Sequence, residues 1–168
     1  MIAPERLWAV VGGVGLLFVA VAGADNVLTW VPPDFGNREW EFGTITASFN
    51  GLLSVTLGLA MVQLWLSQTD RAWPLRVLAV VYLLLGASIL AAALLYWTNV
   101  PIAWAAVPDS PIKTGLMKAI VKTSFQSVAY PLAFFVLART AFVWAGLIAE
   151  RAKSDRRSER HVGVIARG

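Results

Sequence analysis

The chain has 168 residues, of which 58% are aliphatic or aromatic and 14% charged, and its formal net charge is +4; this is far from the balance of a soluble domain and points to the bilayer as solvent. Cysteine is absent and histidine occurs once, as His161, which excludes disulfides, thiolate nucleophiles, iron–sulfur and Cys zinc sites, a membrane-embedded bis-histidine haem and a buried Ser-His-acid triad. The excess of positive charge lies at the C-terminus and suggests apposition to an anionic membrane surface rather than to nucleic acid.

The N-terminal segment carries Glu5 and Arg6 and then runs without a charge from Leu7 to Ala24. This run is longer than the apolar region of a cleaved signal peptide, so a retained first span over about 7–26 is expected. Gly15, Val19 and Gly23 share one helical face, which permits close approach by a second helix.

An outer loop over 27–43 follows, and it holds the most distinctive stretch of the chain, Trp30 to Phe42. Rings (Trp30, Phe35, Trp40, Phe42) alternate there with the acids Asp34, Glu39 and Glu41 and the single base Arg38. Such a mixture suits a water–lipid boundary, where indoles sit at headgroup depth and carboxylates face water. Pro32 and Pro33 forbid helix continuation, and Gly36, Asn37 and Gly43 supply positions where positive φ is cheap, so a defined turn is expected. An interfacial anchor that caps the bundle is the plainer reading of this loop; a docking surface for a partner protein or ligand is the sharper one.

The second span, about 44–66, opens with Thr44, Thr46, Ser48 and Asn50 and carries Ala47, Gly51, Ser54 and Gly58 at steps of three or four. That stripe is expected to face protein, with Asn50 making an interhelical hydrogen bond or binding a polar group inside the bundle. Gln63 admits the same interpretation. A short connection with Asp70, Arg71 and Arg76 leads to Pro74, placed to open the third span, about 75–97. Trp65 and Trp73 at one end, and Tyr96, Trp97 and Trp104 at the other, match the two aromatic belts of a membrane protein. Three prolines between Thr98 and Pro111 argue against a regular helix there, and the apolar character of the stretch suggests that it lies on the membrane surface. Ser110 and Pro111 fit an N-cap followed by the first helical position.

From Ile112 to about Ala149 the pattern is continuously helical, on the order of 55 Å at 1.5 Å per residue and well beyond a hydrocarbon core of roughly 30 Å. The early turns, where Lys118 and Lys122 stand four residues apart in line with Gln126 and Tyr130, therefore lie at the outer interface. The fourth span is then about 123–149, with Pro131 as a kink. Arg139 is the one ionisable residue well inside a span. It either snorkels to phosphates or reaches a polar neighbour such as Gln63, or it binds a lipid headgroup, an anionic ligand or a partner.

Residues 153–168 form a basic tail expected to fray after Gly163. Its Lys and Arg residues fall on the same side as Arg6, Arg71 and Arg76 under a four-span reading, which places both termini in the cytoplasm of a multi-pass cell-membrane protein. Nucleic-acid binding is not expected, since neither interleaved aromatics nor a binding fold accompanies the tail. Walker-type, GxSxG, HExxH and CxxC patterns do not occur, and VGGVGLL lacks the preceding strand of a dinucleotide fingerprint.

The expected fold is all-α, an integral membrane four-helix bundle over 1–152 with a structured outer loop between helices 1 and 2 and a long fourth helix. No catalytic residue, metal ligand or cofactor is assigned. The candidate binding residues are Trp30, Asp34, Phe35, Arg38, Glu39, Trp40, Glu41, Asn50, Lys118, Lys122 and Arg139. The leading functional expectation is a non-enzymatic accessory or structural subunit in a larger membrane complex, contacting membrane lipids and other subunits or itself. A carrier or binding protein for a lipid, quinone or other amphipathic molecule comes second. A membrane enzyme using the outer-loop carboxylates comes last.

Overall fold

The computed structural model describes residues 4–107 and 111–165 and places almost all of them in four helices: α1 (Pro4–Thr29), α2 (Arg38–Ser67), α3 (Ala72–Ala106) and α4 (Pro111–Ile165). Each contains a stretch long and apolar enough to cross a membrane, within Arg6–Thr29, Arg38–Ser67, Ala72–Ala106 and Ile112–Ser154. Side-chain pairings fix the directions. Asn26 meets Ser48 while Gly15 meets Gly58, so α1 and α2 are antiparallel. Glu41 meets Asn99 while Leu59 meets Tyr82, so α3 runs back along α2. Phe49 pairs with Tyr130 and Gln63 with Thr140, which makes α4 parallel to α2.

The core lies between α2, α3 and α4. Ile45, Phe49 and Leu59 of α2 meet Ala79, Tyr82, Ala93 and Tyr96 of α3 and Phe134, Ala138 and Ala141 of α4. The α3–α4 contact is rich in alanine and Gly86, which lets two backbones approach closely and exchange dispersion contacts over their length. Among the described residues α1 packs against α2 and against neither α3 nor α4. The arrangement is thus a three-helix core with a fourth helix laid on its edge.

The α1–α2 crossing rests on paired glycines. A methyl group on Gly15 would sit 2.6 Å from the Gly58 carbonyl oxygen, and one on Gly58 would sit 2.7 Å from the Gly15 carbonyl oxygen. The expectation that Gly15 permits close approach is met at this point. Gly51 and Gly58 of the α2 stripe do face α1, but Ala47 and Asn50 are exposed. The expected interhelical bond of Asn50 is therefore absent among the described residues, because those positions lie on a side of α2 that the described helices leave uncovered.

Two boundaries differ from expectation. The α1–α2 connection is confined to 30–37, since α1 continues to Thr29 and α2 starts at Arg38. The third helix does not end near Trp97 but runs through Pro101 to Ala106. Pro101 removes a single donor, the one that would reach the Trp97 carbonyl, and the residues after it carry no helix-breaking signal, so the apolar helix continues past it. The expected Ser110 cap, the last residues of the tail and the basic side chains beyond Ser154 lie outside the described residues.

Candidate functional site

The Trp30–Phe42 stretch forms a turn fastened to three helices. At the end of α1, Trp30 and Val31 donate their backbone N–H groups to Val27 and Leu28 at 3.0 and 3.1 Å. The chain then reverses through a cis Val31–Pro32 bond and Gly36, whose φ of +96° lies where a side chain would be strained. Asn37 caps α2: its Oδ1 accepts from the backbone N–H groups of Glu39 (3.1 Å) and Trp40 (3.2 Å), and its Nδ2 donates to Asp34 Oδ2 at 2.8 Å. Two of the orphan donors of the first helical turn are satisfied in this way.

Three rings close over the turn. Trp40 stands edge-on to Trp30 (5.7 Å between centroids) and to Phe35 (5.5 Å), and Trp30 lies 6.2 Å from Phe35. These are the tilted and edge-to-face geometries that aromatic quadrupoles prefer. Trp30 Nε1 donates to Ser48 Oγ at 2.9 Å and Asn26 Nδ2 donates to the Ser48 carbonyl at 3.1 Å, tying the cluster to α2.

A polar chain completes the clasp on the α3 side. Glu41 is buried; its Oε1 accepts from the Gly36 N–H at 3.0 Å and its Oε2 from Asn99 Nδ2 at 2.9 Å, while Arg38 Nη1 donates to Asn99 Oδ1 at 2.6 Å. Asn99 uses donor and acceptor at once, so the acid and the base of the turn are bridged by one buried amide. Beneath it Phe42 stacks on Tyr96 at 5.1 Å. The Tyr96 hydroxyl lies beside that of Thr123 on α4, but the two do not meet hydrogen-bond geometry.

The structure brings together Trp30, Asp34, Phe35, Arg38, Glu39, Trp40 and Glu41 but divides their roles. Glu41 is buried and Trp30 and Trp40 are half-buried, while Asp34, Phe35, Arg38 and Glu39 are exposed although Asp34, Phe35 and Arg38 each contact a neighbour in the turn or on α3. The other candidates do not join them: Asn50 is exposed on α2, and Lys118, Lys122 and Arg139 are exposed on α4. Arg139 does not engage Gln63, whose Nε2 instead donates to Thr140 Oγ1 at 2.9 Å. Arg139 is exposed, and the neighbouring position supplies the polar group.

Asn99 and Asn37 were not among the candidates. Asn99 continues the spacing of Ile89, Ala93 and Tyr96 along the buried face of α3. That signal is legible once the helix is allowed past Pro101. A groove of about 330 Å³ runs between α1 and α3 over α2, apolar along Phe49, Leu52, Leu85 and Ile89, with Asn26, Trp30 and Ser48 among its lining. Lys118, Lys122 and Arg139 do not line it. No family model, curated protein or solved structure matches the chain.

Proposed function

We propose that the chain is an integral membrane protein with both termini in the cytoplasm and that it serves as a non-enzymatic accessory or structural subunit of a larger membrane complex. The observation that carries this reading is the incomplete bundle: among the described residues α1 packs on α2 alone. Its Val10, Leu17, Val21 and Leu28 side chains are each more than half exposed. A helix so sparsely covered within its own chain offers surface to neighbours in the bilayer, where association depends on close packing rather than on escape from water. The clasped turn supports the same reading, because its polar groups are committed to holding the helix ends while Phe35 and Glu39 remain available at the rim. Purification of the native protein in a mild detergent, followed by mass spectrometry of proteins and lipophilic small molecules, tests it. Stoichiometric partner proteins are expected; a chain recovered with no partner protein overturns it.

The α1–α3 groove favours a second reading, a binding protein for an amphipathic molecule whose tail lies along Leu52 and Leu85 and whose polar end meets Asn26, Trp30 and Ser48. One lipophilic compound enriched with the purified chain, and lost in Leu85→Trp, is the expected result under that reading. Equal retention by Leu85→Trp counts against the groove.

A further inference from the structure

We propose that α2 pairs with the α2 helix of a second copy of this chain, along a heptad seam centred on Asn50. The proposal rests on the membrane reading above and not on the accessory-subunit reading. Gly51 and Gly58 of α2 are covered by α1, Leu59 is engaged by Tyr82 of α3, and Phe49 and Gln63 are engaged by α4. What remains is one face, on which Gly43, Ala47, Asn50, Ser54 and Leu57 follow at steps of four, three, four and three. Leu64 continues the alternation, whereas Met61 is turned toward α1, its Cβ 2.9 Å from where a methyl group on Gly15 would sit. Gly43, Ala47, Asn50, Leu57 and Leu64 are exposed, Leu57 at 54% and Leu64 at 42%. A repeat of 3.5 residues is the signature of a left-handed helix pair, and from Gly43 to Leu57, before α1 crosses at Met61, it lies on a side of α2 that the described helices leave open.

Asn50 decides what covers that face. Its side chain makes no hydrogen bond among the described residues, and it stands six residues, about 9 Å, inside the span expected over 44–66. A short amide at that depth cannot reach headgroups as a lysine or arginine would, and leaving its donor and acceptor unpaired in hydrocarbon is costly. Copies of one chain insert with one orientation, so two α2 helices related by a twofold axis along the membrane normal run parallel, and each seam residue meets itself. An asparagine carries both a donor and an acceptor, so two Asn50 amides satisfy each other reciprocally. Gly43 and Ala47 present almost no side chain, which lets the backbones close at the end where the amides meet.

The natural absence of cysteine makes the test direct. Ala47→Cys, Ser54→Cys and Leu57→Cys are made singly in the full chain, with Leu84→Cys and Val136→Cys as controls on the exposed faces of α3 and α4. After oxidation in native membranes the three seam variants are expected to form a disulfide-linked dimer and the controls to remain monomeric. In vesicles, Asn50→Leu is expected to weaken the dimer, read by energy transfer on dilution into excess lipid, on the order of 3- to 20-fold for each hydrogen bond lost, while Asn50→Gln retains it. Equal cross-linking at all five positions, none at any, or a seam adduct to a different protein overturns the pairing. Cross-linking that survives alongside an unchanged Asn50→Leu dimer overturns the role of the amide. Alkaline carbonate extraction separates the two levels: a chain retained in the membrane without seam cross-links refutes the pairing alone, and a chain released from it refutes the membrane reading and the pairing together.

Discussion

Gly58→Ala and Gly13→Ala change the same residue types in the same kind of helix, and the structure predicts opposite signs for them. Glycine is less favourable than alanine inside a helix by about 0.8–1.0 kcal/mol. At Gly13 a new methyl group meets nothing within 4 Å, so only this gain applies. At Gly58 the methyl group would sit 2.7 Å from the Gly15 carbonyl oxygen, 2.9 Å from Phe18 Cβ and 3.0 Å from Val19 Cγ2, against the 3.4 Å at which ordinary contact begins. The nearest obstacle is backbone, so α1 and α2 must separate by several tenths of an ångström along their closest contact. Overpacking of this kind costs about 1–3 kcal/mol, which offsets the helix-propensity gain and leaves a net loss of up to about 2 kcal/mol. Far-UV circular dichroism during titration of mild-detergent micelles with sodium dodecyl sulfate reads both changes. Gly13→Ala should move the unfolding midpoint to higher denaturant and Gly58→Ala to lower. A Gly58→Ala midpoint raised as far as that of Gly13→Ala would show that the glycine pair does not set the crossing.

The hydroxyls of two buried tyrosines give a second contrast: Tyr82 donates to the Leu59 carbonyl at 2.9 Å, whereas Tyr96 has no hydrogen-bond partner among the described residues, so in the same titration Tyr82→Phe should cost about 0.5–1.5 kcal/mol and Tyr96→Phe should be neutral or stabilising. Asn99→Leu removes the amide that bridges Arg38 and Glu41, and trypsin should then cut after Arg38 faster than in the unmodified chain; an unchanged rate would place the grip on the turn elsewhere. Asp34 and Asp70, in the connections before and after α2, should take up an impermeant thiol reagent from opposite sides of sealed vesicles when changed singly to Cys, and labelling from one side only would refute the four-span topology.

The helices were legible because run length and charge placement speak with one voice: four apolar stretches separated by charged or proline-containing segments leave little choice. Their ends were less so. Asn37 caps α2 through its own side chain, which moves the helix start ahead of the acidic and aromatic residues that read as loop, and Pro101 reads as a terminator although a long apolar helix absorbs the loss of one donor. The aromatic turn announced itself, but the roles within it did not. Whether Glu41 is a solvated rim acid or a buried anchor depends on Asn99, which lies far along the chain and meets it only after α3 folds back. The facing of Asn50 was hidden for another reason. Small residues occupy two sides of α2, and a stripe in the sequence does not say which of them α1 takes.

That division makes α2 the organising helix. Among the described residues it alone contacts each of the other three helices, with the glycine side toward α1 and the large apolar side toward α3 and α4. The turn clasp anchors α1 to it through Ser48 and anchors it to α3 through Asn99, while the Gly15–Gly58 crossing holds α1 further along the same helix. Substitutions on α2 therefore separate by facing rather than by depth. Those at Gly58 perturb α1, those at Leu59 or Phe49 perturb the core, and those at Asn50 fall on an exposed position where neither contact is at stake.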